Sequence, residues 1–117
     1  MLKNACAVAL LLVICGPAAA QVAAAARPSP SLYAINSAAL ASAMTYCSTK
    51  HGNLQTGSPG EACFVKARQI LANYGLKKIS ADVDVSCADP ATFNTCLTPQ
   101  VGKLVYALNA EFVKQGL

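Results

Sequence analysis

Tryptophan is absent from this sequence, histidine occurs once, and aromatic residues make up only 6% of it. A run of stacked aromatic side chains for holding bases is therefore excluded. Charge is sparse too: 12% of residues carry one, nine basic and five acidic, for a net charge of +4. That balance is too mild and too scattered for a nucleic-acid partner, and the one adjacent basic pair, Lys77-Lys78, reads as a solvated turn. No Gly-rich phosphate cradle of the G-x-x-x-x-G-K or G-x-G-x-x-G type is present, and no G-x-S-x-G nucleophile turn. The cysteines lack the close C-x-x-C pairing that zinc sites use. Long apolar runs are missing as well. The longest, Ala5 to Cys15, is about eleven residues, where a bilayer span needs about 20.

The N-terminus instead has the three parts of a secretory signal. Lys3 supplies the positive charge, Ala5 to Cys15 the apolar segment, and Gly16-Pro17 break it ahead of Ala18-Ala19-Ala20. A signal peptide is expected over 1–20, with cleavage between Ala20 and Ala26. Lipid attachment at Cys15 is disfavoured because bulky Ile14 precedes it. A mature chain of about +3, periplasmic or secreted, follows once Lys3 leaves.

Export changes the reading of the cysteines. Cys6 and Cys15 depart with the leader, and Cys47, Cys63, Cys87 and Cys96 remain, an even set in an oxidising compartment. Their spacings are fifteen, twenty-three and eight intervening residues, which suit two disulfides. Three pairings are possible.

Residues 21–31 contain Pro28 and Pro30 and read as a flexible arm, and 32–117 as one helical domain. Ser31 is the expected N-cap of a helix over 32–49. On it Leu32, Ile35, Ala39, Leu40, Ala43, Met44, Tyr46 and Cys47 share the buried half, opposite Ser37, Ala41, Ser42 and Thr45. Ser58-Pro59-Gly60-Glu61 has the S-x-x-E form of a capping box with Pro at the first helical position. It opens a helix to Tyr74, whose apolar face includes Cys63, Phe64, Ala67, Ile70 and Leu71, with Gly75 as its stop. Cys47 and Cys63 thus lie at the end of one helix and the start of the next, both facing inward. A helical hairpin would bring them together, which favours Cys47–Cys63 and leaves Cys87–Cys96. Closing a loop of about 15 residues is worth about 3 kcal/mol in the chain-entropy model.

Ile79 to Cys87 alternates apolar and polar residues with a period of two, as a half-buried strand does. No second run offers it a partner, so an extended connection packed over the helices is expected at 79–87. Asp89-Pro90 and Thr98-Pro99 each pair an N-cap residue with proline, and predict a short helix to about Leu97 and a last one to about Lys114. Val101, Leu104, Val105, Leu108 and Phe112 form the stripe of that last helix. The class is all-α, a small bundle of about four helices stapled by two disulfides.

Reactive groups are few. His51 falls in a polar loop with no other imidazole near it in sequence, so no metal site and no catalytic residue is expected. Asp82-Val83-Asp84-Val85-Ser86 has the D-x-D-x-S opening of a calcium loop. The pattern then fails, with Cys87 where glycine belongs and Phe93 where the bidentate glutamate belongs. A solvated pair on an extended segment is the expectation for those carboxylates. No cofactor is predicted.

A stapled scaffold without visible catalytic machinery points to binding. Residues 32–117, with cysteines near helix ends and an amphipathic C-terminal helix, resemble in layout the periplasmic immunity proteins of type VI secretion. That resemblance implies stoichiometric binding of a toxin. The expectation is an envelope protein of immunity, pilotin or chaperone type that binds a protein partner. A secreted effector acting outside the cell and a small lipid or ligand carrier are the alternatives.

Overall fold

A computed structural model describes residues 29–117. The expected signal peptide at 1–20, and residues 21–28 of the expected arm, lie outside the described residues. Within them the chain forms four α-helices and no strand: α1 (Leu32–His51), α2 (Pro59–Ala72), α3 (Leu76–Ser86) and α4 (Phe93–Lys114), with one 3₁₀ turn at Pro90–Thr92. Helix α1 is central and packs against each of the other three. Its inner stripe is Ile35, Ala39, Ala43 and Cys47, all fully buried. The alanines keep the stripe thin, so neighbouring helices come close. Leu97, Leu104, Leu108 and Phe112 of α4 complete most of the core, with Tyr46 tilted against Phe112 at 5.3 Å between ring centroids.

Both expected disulfides form, Cys47–Cys63 as the helical phase suggests and Cys87–Cys96 as the remaining pair. Cys47–Cys63 joins the end of α1 to the start of α2, and Cys87–Cys96 joins the end of α3 to the first turns of α4, each with Cα atoms 5.6 Å apart.

Helix α2 begins at the capping box, with one change. The Ser58 hydroxyl accepts from the Glu61 amide at 3.1 Å, but the Glu61 carboxylate accepts from the Gly57 amide at 2.7 Å. The Ser58 amide is already committed to the Gln55 carbonyl at 3.0 Å. Helix α2 stops at Ala72, short of Tyr74, and Gly75, left-handed at φ 84°, starts the next helix.

That next helix is a correction. Residues 79–86, expected as an extended connection, belong to α3. Ile79 and Val83 satisfy a period of two and a helical repeat equally. The remaining positions decide: Leu76, Ile79, Ser80, Val83 and Cys87 follow helical spacing and face inward, while Val85 is 80% exposed. A helix also satisfies its own backbone groups, which a strand without a partner cannot do.

The chain after Asp89 is a second correction. Asp89 accepts from the Ala91 amide at 3.0 Å and starts only the 3₁₀ turn, after which α4 runs unbroken through Pro99. The two helices expected at 90–97 and 98–114 are therefore one. Proline supplies no amide for the Thr95 carbonyl one turn back, while the Thr98 hydroxyl donates to the Asn94 carbonyl at 2.9 Å. Continuity wins because Leu97 stays in phase with Leu104, Leu108 and Phe112, so one helix buries them all, and Pro99 lies on the exposed side. At the far end Gly116, at φ 87°, closes the helix. The Leu117 amide bonds to the Phe112 carbonyl and the Gly116 amide to that of Val113.

Helix α1 is not capped by its own Ser31. That residue is fully buried with near-helical dihedrals, and its hydroxyl donates to the Ser80 carbonyl of α3 at 2.9 Å. Asp84 of α3 serves the helix start instead, accepting from the Ser31 amide at 3.0 Å and from the Ser29 hydroxyl. The folded unit therefore begins before Leu32.

Candidate interaction surface

The residues singled out for chemistry are not brought together. His51 is the last residue of α1, not a loop residue, and is exposed beside Lys50. Asp82 and Asp84 stand two apart on a helix and face different ways. Asp82 pairs with Lys78 across one exposed turn at 3.2 Å, whereas Asp84 holds Ser29 and Ser31. Partial burial pushes the Asp84 carboxyl up, but the hydrogen bonds from Ser29 and Ser31 outweigh it and hold the group below its ordinary value. Among the described residues no three His, Cys, Asp or Glu side chains cluster as metal ligands would. No helix among them is long and apolar enough to cross a membrane.

What the fold does create is a groove of about 890 Å³ between α1 and α4. Ala41, Thr45 and Thr49 line one wall, Val105, Tyr106, Asn109, Ala110 and Val113 the other, with Ser42 and Tyr46 at its base. Tyr106 is 80% exposed and Val113 65% exposed. Tyr33 and Val85 are as exposed elsewhere, so what sets Tyr106 and Val113 apart is that they adjoin a groove and extend one apolar patch.

The groove sits in a wider uncharged face. From Leu32 through Thr49 the chain has no Asp, Glu, Lys or Arg, although about half of α1 faces solvent. Leu40 and Met44, expected inside, are 42% and 43% exposed and extend the face around α1. Ser42, expected outside, is buried under α4. On α4 the charged residues Lys103, Glu111 and Lys114 do not line the groove. Lys50 is the one charged lining residue, and its ammonium is engaged by the Leu117 carbonyl. All other charge of the described residues lies on α2, α3, the Asp89 turn or the flank of α4. The signal for this face was present in the amino-acid order, as a helix with little contrast between its two sides, whose outer half carries hydroxyls and methyls where charges belong.

A second, smaller groove of about 460 Å³ lies among α1, α2 and the start of α3, with Leu40, Leu71 and Leu76 in it and Arg68 and Lys77 alongside. Arg68 stacks over the Phe64 ring at 5.7 Å.

No protein-family model matches the chain, and no curated protein and no solved structure matches it either.

Proposed function

We propose that this protein works by binding another protein across the uncharged α1–α4 face, in an oxidising compartment outside the cytoplasm, without catalysing a reaction. The observation that carries the reading is the pairing of exposed Tyr106 and Val113 with a groove walled by small residues. Interface centres are depleted in charge and enriched in tyrosine and other aromatics, and this face has that composition. The two disulfides support the compartment, since such bonds persist where the surroundings are oxidising. An immunity, pilotin or chaperone role accords with a small stapled binding domain.

The test is capture from an envelope extract with the oxidised protein and with its Tyr106→Lys variant. The reading expects a partner retained by the wild type and lost with the variant. Equal capture by both would remove this face from the function. A ligand-carrier reading has one observation in its favour: the groove volume falls within the range of small-molecule sites, about 300–1,000 Å³. Native mass spectrometry of protein purified without detergent separates the two, because a carrier arrives with a bound mass.

A further inference from the structure

We infer that the smaller groove, where α1, α2 and α3 meet, is a site for a single-chain anionic amphiphile, an alkyl chain ending in a carboxylate. It shares no lining residue with the α1–α4 groove, so the inference goes beyond the protein-binding reading and does not depend on it.

The apolar part is the groove itself. Leu40 of α1, Leu71 of α2 and Leu76 of α3 meet there, one from each helix, and none of them is buried. Leu40, placed in the inner half of α1 by its helical phase, is 42% exposed. The groove holds about 460 Å³, inside the range of about 300–1,000 Å³ for small-molecule sites. Eight residues line it, against about 20–30 a side in a protein interface, so its size suits a small occupant.

Charge selects that occupant. Arg68 and Lys77 flank the leucines, and no acidic side chain lines the groove. All five side-chain carboxylates of the sequence are engaged elsewhere. Glu61 accepts from the Gly57 amide, Asp84 from the Ser31 amide, Asp89 from the Ala91 amide and Glu111 from Gln115, while Asp82 pairs with Lys78. Arg68 is held over the Phe64 ring, and neither it nor Lys77 has an ion-pair partner among the described residues.

The position of Lys77 adds to this excess. The Lys77-Lys78 pair, expected in a solvated turn, lies in the first turn of α3, at the positive end of the helix dipole. That turn has no acidic residue, and its cap, Gly75, has no side chain to accept from the free amides. Cations there break a local rule, and such breaks gather at functional sites. Asp82 relieves Lys78 but nothing relieves Lys77 among the described residues. A carboxylate beside Arg68 and Lys77 supplies the negative charge, and its alkyl chain covers the three leucines. A neutral chain leaves both cations unpaired, and a cationic one is repelled. Because the leucines remain open to solvent, the occupant exchanges freely and is found by titration, not by co-purification.

Heteronuclear NMR of the chain expressed with its own leader, purified oxidised, tests this with sodium decanoate as the probe. The expected result is saturable shifts centred on the Leu71, Leu76 and Lys77 amides, with a Kd below about 1 mM. Decyltrimethylammonium, with the same chain and the opposite charge, binds at least about tenfold more weakly, and acetate, without the chain, does not saturate. Arg68→Gln and Lys77→Gln each weaken decanoate binding by about threefold. Lys66→Gln, which removes the same charge from α2 outside the groove, changes it by less than about twofold, because screening leaves only near charges effective. Circular dichroism confirms that each variant is folded. The inference is overturned if decanoate gives no saturable shift at those amides, or if the cationic amphiphile binds as well. Equal losses in Lys66→Gln and Arg68→Gln overturn it too, as do shifts centred on Tyr106 and Val113, which place the amphiphile in the other groove. Capture of a protein through Tyr106 is read separately and decides only the protein-binding reading.

Discussion

Gly60 is the residue whose replacement the structure constrains most tightly. A Cβ built there lies 1.7 Å from the Asn53 carbonyl oxygen and 2.9 Å from its carbonyl carbon. Ordinary contact needs about 3.5 Å, so the start of α2 and the loop after α1 must move apart by more than about 1.5 Å. Neither side yields easily. The obstructing atoms are backbone, the Asn53 side chain is bonded to the Gln55 amide at 2.9 Å, and the Cys47–Cys63 bridge brackets the loop. Overpacking of this kind costs about 1–3 kcal/mol, and a backbone clash belongs at the upper end. The helix-propensity gain of alanine, at most about 1 kcal/mol, is reduced so close to the helix start. Gly60→Ala should therefore lose about 2 kcal/mol net, a drop of roughly 8–16 °C in midpoint for a domain of this size. Gly102 in α4 is the matched control: it is helical and exposed, with nothing within 4 Å of its would-be Cβ. Gly102→Ala should gain about 0.5–1 kcal/mol and raise the midpoint by a few degrees. Thermal unfolding of the oxidised variants, followed by circular dichroism at 222 nm (a backbone-amide band), measures both. Gly60→Ala within about 0.5 kcal/mol of wild type would refute the claimed approach of loop and helix.

Other perturbations have equally definite signs. Phe112 is fully buried against Tyr46, and Phe112→Ala should cost about 3–5 kcal/mol in urea unfolding, enough to leave much of the population unfolded. The two disulfides should open in order. Cys47 and Cys63 are both buried whereas Cys96 is partly exposed, so alkylation after graded reduction should label Cys87 and Cys96 first; the reverse order would contradict the packing at α1–α2. Asp84 sets an acid limit. Its folded-state carboxyl is held below the ordinary value, so its contribution is complete above the unfolded value of about 3.9 and fades as pH falls through the lower folded value. Asp84→Asn should lose stability at neutral pH and show a flatter acid limb, measured by urea midpoints between about pH 6 and pH 2.

Local chemistry made some features readable in advance and hid others. The pairing of Cys47 with Cys63 followed from helical phase, because both cysteines fall on inward stripes at facing helix ends. The start of α2 followed from Ser58, Pro59 and Glu61, each of which acts within one turn. Gly60, inside the same motif, has a reason that no local rule contains: the Asn53 carbonyl folds back onto it. Residues 79–86 were ambiguous because Ile79 and Val83 serve either period; the inward spacing of Leu76, Ser80 and Cys87, with Val85 left outside, is what a helix alone accommodates. Pro99 gives a local stop signal that the shared burial of Leu97 and Leu104 overrides. Ser31 occupies the expected cap position, yet its hydroxyl is recruited by Ser80, far away in sequence. Long-range partners decided each of these cases.

The placement of the disulfides bears on how the α1–α4 face is held. One bridge staples α1 to α2, the other α3 to α4, so the described residues form two stapled hairpins joined by the backbone turn at 73–75, with no disulfide among those residues crossing between them. The face lies on the seam, since α1 belongs to the first hairpin and α4 to the second. The seam is kept by the packing of α1 against α4 and by the bonds that Ser29 and Ser31 make to Asp84 and Ser80. A change at Asp84 should therefore reach the face without touching it. Asp84→Asn keeps every groove residue and both bridges but loosens the attachment of the first hairpin to α3. The expected outcome is weaker retention of a partner at neutral pH, with hydrogen exchange faster at the first turns of α1. If Asp84→Asn is destabilised yet binds as well as wild type, the face is set by the α1–α4 contact alone, and the serine–aspartate contacts serve stability only.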